Sequence, residues 1–334
     1  MRPSINRRKA RLIYAGAGAL MLAIPATAVA LAAGPPSLPS AAAGAAPPQA
    51  LRVAVRQRHI TYGHNVTVTG TASGADAGAT LQLEFAPSGS SSWHALSSSA
   101  VLRSGGFRLL APLRQSGLVR VAGGSSNADV RTAVSALTPT TSSGGAFAPS
   151  SSQQVAVAAA LRVPARPLDA LSGQVLNLRG QLLPAAAGRP VSLQGRDRGS
   201  WRTLTVAQTG RRGEFDLRYV AGGLGQQQLR VRFAGDLRND KVIEPAGRVT
   251  VYTQSIASWY EDAGSTGCGF HVFYGVANKM LPCGTKVTFR YGGRTVNAVV
   301  DDRGPYVGGR EWDFNQNLAA ALGFAGVDTV WATQ

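Results

Sequence analysis

Near the end of this 334-residue chain, one run concentrates the residue types that move protons: Val299-Val300-Asp301-Asp302-Arg303-Gly304-Pro305-Tyr306. Two carboxyls stand side by side. Arg303 and Arg310 are near enough in sequence to pair with one of them, and a third carboxyl follows at Asp313. A carboxyl held at the rim of a cleft can give a proton to a leaving oxygen, or take one from an attacking hydroxyl. The valines read as a buried strand, alternation sends Asp301 and Asp302 to opposite faces, and Gly304-Pro305 ends the ladder. One of the two acids is therefore expected to point inward or into a groove.

The elements that must hold this run lie on either side of it. Ile256-Ala257-Ser258-Trp259-Tyr260 reads as a first strand and 264–269 as a loop. Lys286 to Tyr291 and Arg294 to Val300 flank Gly292-Gly293, the signature of a tight hairpin. A short helix is expected over 315–323, with Asn315 as its N-cap and Gly323 as its stop, and a last strand over 327–332. Several short strands with one helix predict a small closed barrel over 253–334 rather than an open sheet.

The net charge is +17, yet residues 252–334 hold six Lys/Arg against seven Asp/Glu. The basic excess lies upstream, where it either attracts a polyanion or serves solubility alone. Both cysteines, Cys268 and Cys283, fall in the near-neutral last domain. In an exported chain such a pair reads as a disulfide, stabilising by roughly 3 kcal/mol in the chain-entropy model. The alternative is a metal site on Cys268 and His271, for which no further Cys or His completes a ligand set.

Residues 1–33 carry a basic start, an apolar run from Leu12 to Ala33 and small residues around Ala26 to Ala30, as in a secretory signal. An uncleaved anchor is the alternative. A Pro/Ala-rich linker follows at 34–50, and a second low-complexity linker at 137–154. Two similar segments remain, 51–136 and 155–252. Gly63 to Gly70 and Gly173 to Gly180 enclose strands of equal length, and Trp93 and Trp201 follow. Phe107 and Phe215 each come fourteen residues after the tryptophan. This internal repeat alternates apolar and polar residues over short runs, which predicts two antiparallel, immunoglobulin-like β-sandwiches with the tryptophans in their cores.

The last domain resembles the double-psi β-barrel of rare lipoprotein A-like (RlpA-like) proteins, in particular secreted actinobacterial ones. The resemblance rests on Ala257-Ser258-Trp259-Tyr260, Thr266-Gly267-Cys268-Gly269, Leu281-Pro282-Cys283-Gly284-Thr285, Asp302-Arg303-Gly304-Pro305-Tyr306, Gly309-Arg310, Trp312-Asp313 and Leu318 to Gly323. It implies a six-stranded barrel and, in relatives that carry both cysteines, their pairing. Some of the family are lytic transglycosylases that cut peptidoglycan glycan strands; related barrels bind or loosen polysaccharide. Active members share a Glu, a His and the Asp of Asp-Arg-Gly-Pro. This chain keeps the Asp as Asp302, but has Phe270 at the Glu position, Asn278 at the His position, and Glu261 where a Gly usually follows Ser-Trp-Tyr.

In a lytic transglycosylase a carboxyl protonates the glycosidic oxygen and the same group, once ionised, can take the proton of the sugar's own 6-hydroxyl, so one carboxyl with a raised pKa serves both roles; hydrolysis needs a second carboxylate to activate water or attack. Asp302 is the candidate general acid/base, or else a loop brace bonded to backbone N–H groups. Asp313 reads as a brace between loop and helix or as a substrate contact. Trp259, Tyr260 and Tyr306 could stack on sugar faces, with Arg303 and Arg310 beside them. No cofactor and no metal are expected. Three readings follow: an exported wall protein that cleaves glycan strands, a non-catalytic peptidoglycan-binding protein with a degenerate barrel, and an envelope scaffold for protein partners. Expected partners are peptidoglycan glycan strands and, for the basic modules, anionic wall polymers. Nucleic acid is not expected, nor stable membrane contact once a leader is cleaved.

Overall fold

The computed structural model describes residues 50–74, 77–123, 147–261 and 264–334. The expected leader and nearly all of the first linker lie outside these residues. The linker expected over 34–50 stops short of Ala50, which already pairs with Ser73.

The first module holds β1 (Ala50–Val55), β2 (His59–Thr61), β3 (Asn65–Ser73), β4 (Thr80–Pro87), β5 (His94–Ala100), β6 (Gly106–Pro112), β7 (Gly117–Gly123) and β8 (Gln153–Ala158). One sheet runs β1-β3-β6 and the other β2-β8-β7-β4-β5. Alternating apolar residues such as Val66, Val68, Leu81, Leu83, Val119 and Val121 fill the space between them. The second linker was expected to reach residue 154 and the second module to begin at 155. Instead β8 completes the first module, because Val155 and Val157 point into its core, and the second core begins at Ala159.

The second module repeats this topology with β9 (Ala160–Arg162), β10 (Arg166–Leu171), β11 (Val175–Leu183), β12 (Pro190–Asp197), β13 (Ser200–Gln208), β14 (Glu214–Val220), β15 (Gly225–Phe233) and the first half of β16 (Val242–Tyr260). Its sheets run β9-β11-β14 and β10-β16-β15-β12-β13. The repeated glycines have two separate causes. Gly63 and Gly173 have φ values of 78° and 84°, which suit glycine at a turn. Gly70 and Gly180 lie opposite Phe107 and Phe215 in register, and a Cβ on either glycine would overlap the phenyl ring.

The repeated tryptophans are not core residues, contrary to expectation. Trp93 and Trp201 are half-buried, and Arg120 and Arg230 lie over their rings at 4.0 and 4.1 Å. An arginine within reach of an indole face gains both charge–quadrupole attraction and packing, so the ring is held at the surface.

Strand β16 passes from the second sandwich into the last domain without a linker. Its first half pairs with β15 and β10, its second half with β20 (Trp312–Asn315) and β21 (Asp328–Ala332). With β17 (Gly275–Ala277), β18 (Lys286–Tyr291) and β19 (Arg294–Asp302), the pairings form a ring, β16-β20-β17-β19-β18-β21, closed by β21 on β16. The expected six-stranded barrel is therefore present. Phe289 packs edge-on against Trp312 and Phe314 inside it. The helix α1 (Gln316–Leu322) starts and stops where expected: the Asn315 side chain accepts from Leu318 N, and Gly323 takes the left-handed conformation. Strands β17 and β20 carry too few residues to show alternation, and the sequence did not reveal them.

Candidate functional site

The two adjacent acids at the end of β19 differ in burial, and the register of β19 against β17 shifts there, from Val276 opposite Val300 to Ala277 opposite Asp302. Asp301 is fully buried, and its Oδ2 accepts from Val272 N at 3.0 Å. Asp302 is half-buried at the last position of the strand. The face that Asp302 shares with the neighbouring strands is set by register: Asp302 on β19 is opposite Ala277 on β17, Ala277 is opposite Asp313 on β20, and Asp313 is opposite Ser258 on β16. Two carboxylates thus flank one small residue, two strand spacings apart, on the order of 10 Å between backbones.

Each acid is fixed differently. Asp302 Oδ1 accepts from Gly267 N at 2.6 Å and from Arg303 N at 2.7 Å. Residue 267 is a glycine because a Cβ there would press on the Arg303 side chain and on Asp302 Oδ1. Asp313 Oδ1 accepts from Ser258 Oγ at 2.7 Å. Burial pushes the Asp313 carboxyl above the usual carboxylate range; the bond from Ser258 and the charge of Arg310 oppose the rise, and the charge of Asp302 adds to it. Asp313, expected as a loop-to-helix brace, is held by Ser258, and its burial biases the carboxyl toward keeping its proton. Its neighbours give the reason, and they come from β16 and β19, far away in sequence.

Arg303 does not turn its guanidinium to either acid. Nη1 donates to the carbonyls of Asn278 and Leu281 at 2.9 and 2.7 Å, and Nη2 lies 2.9 Å from Cys283 Sγ. It clamps the 278–283 loop, which leaves Arg310 as the arginine beside the acids. Asn278 is spent in the same loop: its Oδ1 accepts from Met280 N and Leu281 N, and its Nδ2 donates to Glu311 O. Cys268 and Cys283 are joined in a disulfide, with Cα atoms 5.8 Å apart, so Cys268 is not available to a metal. Among the described residues no group of three or more His, Cys, Asp or Glu could hold a metal ion.

The bond ties the loop that carries Gly267 to the loop clamped by Arg303. Buried Asn315 also donates to the carbonyls of Val272 and Phe273, so the helix cap positions the aromatic loop as well. Several aromatic rings of the barrel domain are exposed. Tyr306 is 82% exposed, Phe273 69% and Trp259 42%, with Phe270 and Tyr274 nearby in the loop. Tyr260 is half-buried. Tyr306 stands in the loop after Gly-Pro, as expected, whereas Phe273 was not singled out in the sequence because nothing there distinguishes it from a core phenylalanine. A cavity of about 450 Å³ is lined by residues including Ser255, Asn278, Met280, Arg310, Glu311 and Trp312; neither Asp302 nor Asp313 lines it, and Arg310, whose charge acts on Asp313, is the link between them. Exposed aromatic rings offer stacking surfaces, and a carboxyl biased toward its protonated form can donate a proton.

No family model matches the chain, and no curated protein matches it. The likeness to RlpA-like barrels therefore rests on the motifs quoted above. Among the described residues no helix is long and apolar enough to cross a membrane.

Proposed function

We propose that the protein works outside the cytoplasm on peptidoglycan and that its barrel cleaves glycan strands as a lytic transglycosylase. The observation that carries this reading is the pair Asp302 and Asp313 on either side of Ala277, with the Asp313 carboxyl pushed toward its protonated form by burial. Asp313 gives its proton to the glycosidic oxygen as the bond from the anomeric carbon to that oxygen breaks. The 6-hydroxyl of the same sugar attacks the anomeric carbon, and its proton passes to Asp302. The products are a free hydroxyl on one strand and a 1,6-anhydro ring on the other; water then returns the proton from Asp302 to Asp313. Asp302 thus keeps the base half of the role expected from the sequence, and Asp313 takes the acid half. Tyr306, Trp259 and Phe273 offer stacking surfaces, and Arg310 stands next to the acids.

Export is supported by the disulfide, which persists in oxidising compartments, and by the leader-like start of the chain. Digestion of purified, peptide-stripped sacculi tests the reaction. Wild type should release anhydro-sugar fragments, and Asp313→Asn and Asp302→Asn should each slow release about 10²–10⁴-fold. Release at the wild-type rate by both variants sinks the assignment.

A second reading, binding without cleavage, is favoured by Phe270 and by the turn-forming use of Asn278, which stand where active relatives carry a Glu and a His. Pelleting with sacculi and no released fragments would select it.

A further inference from the structure

The outward face of the second sandwich carries a feature that the first sandwich has only in neutralised form. In the first module Arg120 lies over Trp93 and is paired with Glu84 at 2.6 Å. In the second, Arg230 lies over Trp201 but its Nε donates to Gln194 Oε1 at 2.9 Å. An amide stands where the carboxylate stood, so the positive charge is left uncompensated. Arg232 follows two residues on, on the same face, and desolvation first, then the charge of Arg232, holds Arg230 below its usual range. Arg248 joins them from the next strand, in register with Gln228. Among the described residues none of these three arginines makes an ion pair.

Beside them lies a cavity of about 540 Å³ whose walls include Trp201, Ile243 and Pro245 as well as Arg230 and Arg248. Cations on one strand at alternate positions, and on the neighbouring strand, are spaced roughly 5–7 Å apart. A row at that spacing meets successive charges of a polymer. Guanidinium forks grip carboxylates two bonds at a time, and the apolar floor suits the carbon face of a sugar ring.

We propose that this face of the second sandwich, built on Trp201, Arg230, Arg232 and Arg248, binds an acidic polysaccharide. The first module, with its internal Glu84–Arg120 pair, does not share the site. The inference stands apart from the barrel reading, since it uses none of the barrel's residues, and binding can be measured whether or not glycan strands are cut.

The test is titration of the full chain with polygalacturonate, with neutral dextran and inorganic polyphosphate as comparison polymers. Wild type should bind polygalacturonate, bind dextran at least tenfold more weakly, and bind polyphosphate more weakly per charge. Arg230→Gln with Arg248→Gln should weaken polygalacturonate binding about tenfold or more. Gln194→Glu, which restores the pairing of the first module, should weaken it as well, whereas Arg52→Gln with Arg108→Gln in the first module should not. Circular dichroism and melting curves confirm that each variant is folded. The proposal is overturned if wild type binds no polygalacturonate, if polyphosphate binds as tightly per charge and Trp201→Ala changes nothing, or if the two double variants lose affinity equally.

Discussion

The carboxylate of Asp301 fills the space that a side chain at Gly275 would need. A Cβ built on residue 275 would overlap Asp301 at both carboxylate oxygens and its carboxyl carbon. Gly275 lies on β17 opposite Val299 of β19, so the strand beside the acid pair approaches β19 only because one of its residues lacks a side chain. The first prediction follows from this contact. Gly275→Ala displaces a buried carboxylate or pushes β17 outward, and should cost about 2–4 kcal/mol of stability. Urea denaturation measures it; an unchanged midpoint would show that the strand yields at no cost.

Asp313 has a direct consequence for the pH dependence of folding. Its carboxyl is raised in the folded protein, chiefly by burial, so the folded state holds a proton that the unfolded chain releases at lower pH. Folding is thus penalised by this group above its folded pKa, and the penalty fades as pH falls toward the ordinary carboxylate range. Asp313→Asn removes the ionisation while an amide oxygen can still accept from Ser258. The variant should therefore melt above wild type at pH 7, on the order of a degree or two, and the gap should close by about pH 4. A variant that melts below wild type at pH 7 would mean that the charged form is the one the fold favours.

How much of this site the sequence revealed depends on the range of the interactions. The hairpin at Gly292-Gly293, the cap at Asn315 and the stop at Gly323 are decided by neighbouring residues, and all three stand where local rules put them. Strand alternation alone would send Asp301 and Asp302 to opposite faces, but the register of β19 against β17 shifts between Val276 and Ala277, so that Asp301 meets β17 at Gly275 and Asp302 pairs with Ala277 two residues on, a displacement no local rule shows. The partnership of Asp302 with Asp313 was not legible either, since it requires β17 to lie between β19 and β20. Nor could the sequence show that Arg303 would be consumed by carbonyls of the 278–283 loop. The tryptophans misled for a related reason. Their spacing marked the repeat correctly, but which face of the sheet a large ring takes depends on the arginine two strands away, and that pairing is invisible before the strands are ordered.

The joint between the two sandwiches should be acid-sensitive. Asn239 donates to the carbonyls of Arg114 and Val157 in the first module, and Arg189 in turn donates to Asn239 and to Asp236. Burial works against the charge on Asp236, but the bond from Arg189 and the N–H groups of Asn239 and Arg238 outweigh it and hold its carboxyl below the usual range. A depressed carboxyl stabilises the fold above its unfolded pKa, and that contribution is lost as pH falls through the folded value. Hydrogen exchange in the 236–240 loop should therefore rise below about pH 4, and Asp236→Asn should show fast exchange there already at pH 7. Equal protection in wild type and variant at neutral pH would remove Asp236 from the joint.

β16 is a single strand of 19 residues shared by the second sandwich and the barrel. Side chains reinforce the passage. Tyr252 is fully buried, donates to Asp169 Oδ1 at 3.2 Å and packs against Trp331 of the barrel, while Arg290 of the barrel pairs with Asp169 at 3.3 Å. Neither domain can lose β16 without stripping a strand from the other, so the two should unfold in one calorimetric transition. Asp169→Ala leaves the Tyr252 hydroxyl and Arg290 without that partner, and should cost about 1–3 kcal/mol without dividing the transition. Four Gly/Ser residues inserted between Tyr252 and Thr253 interrupt the ladder itself, and should divide it into two. If the wild-type protein already melts in two steps, with the barrel and the second sandwich separate, the strand is a tether rather than a shared structural member. Binding at the second sandwich would then be transmitted to the barrel only by proximity, whereas one rigid strand would hold a captured polymer at a fixed distance from Asp302 and Asp313.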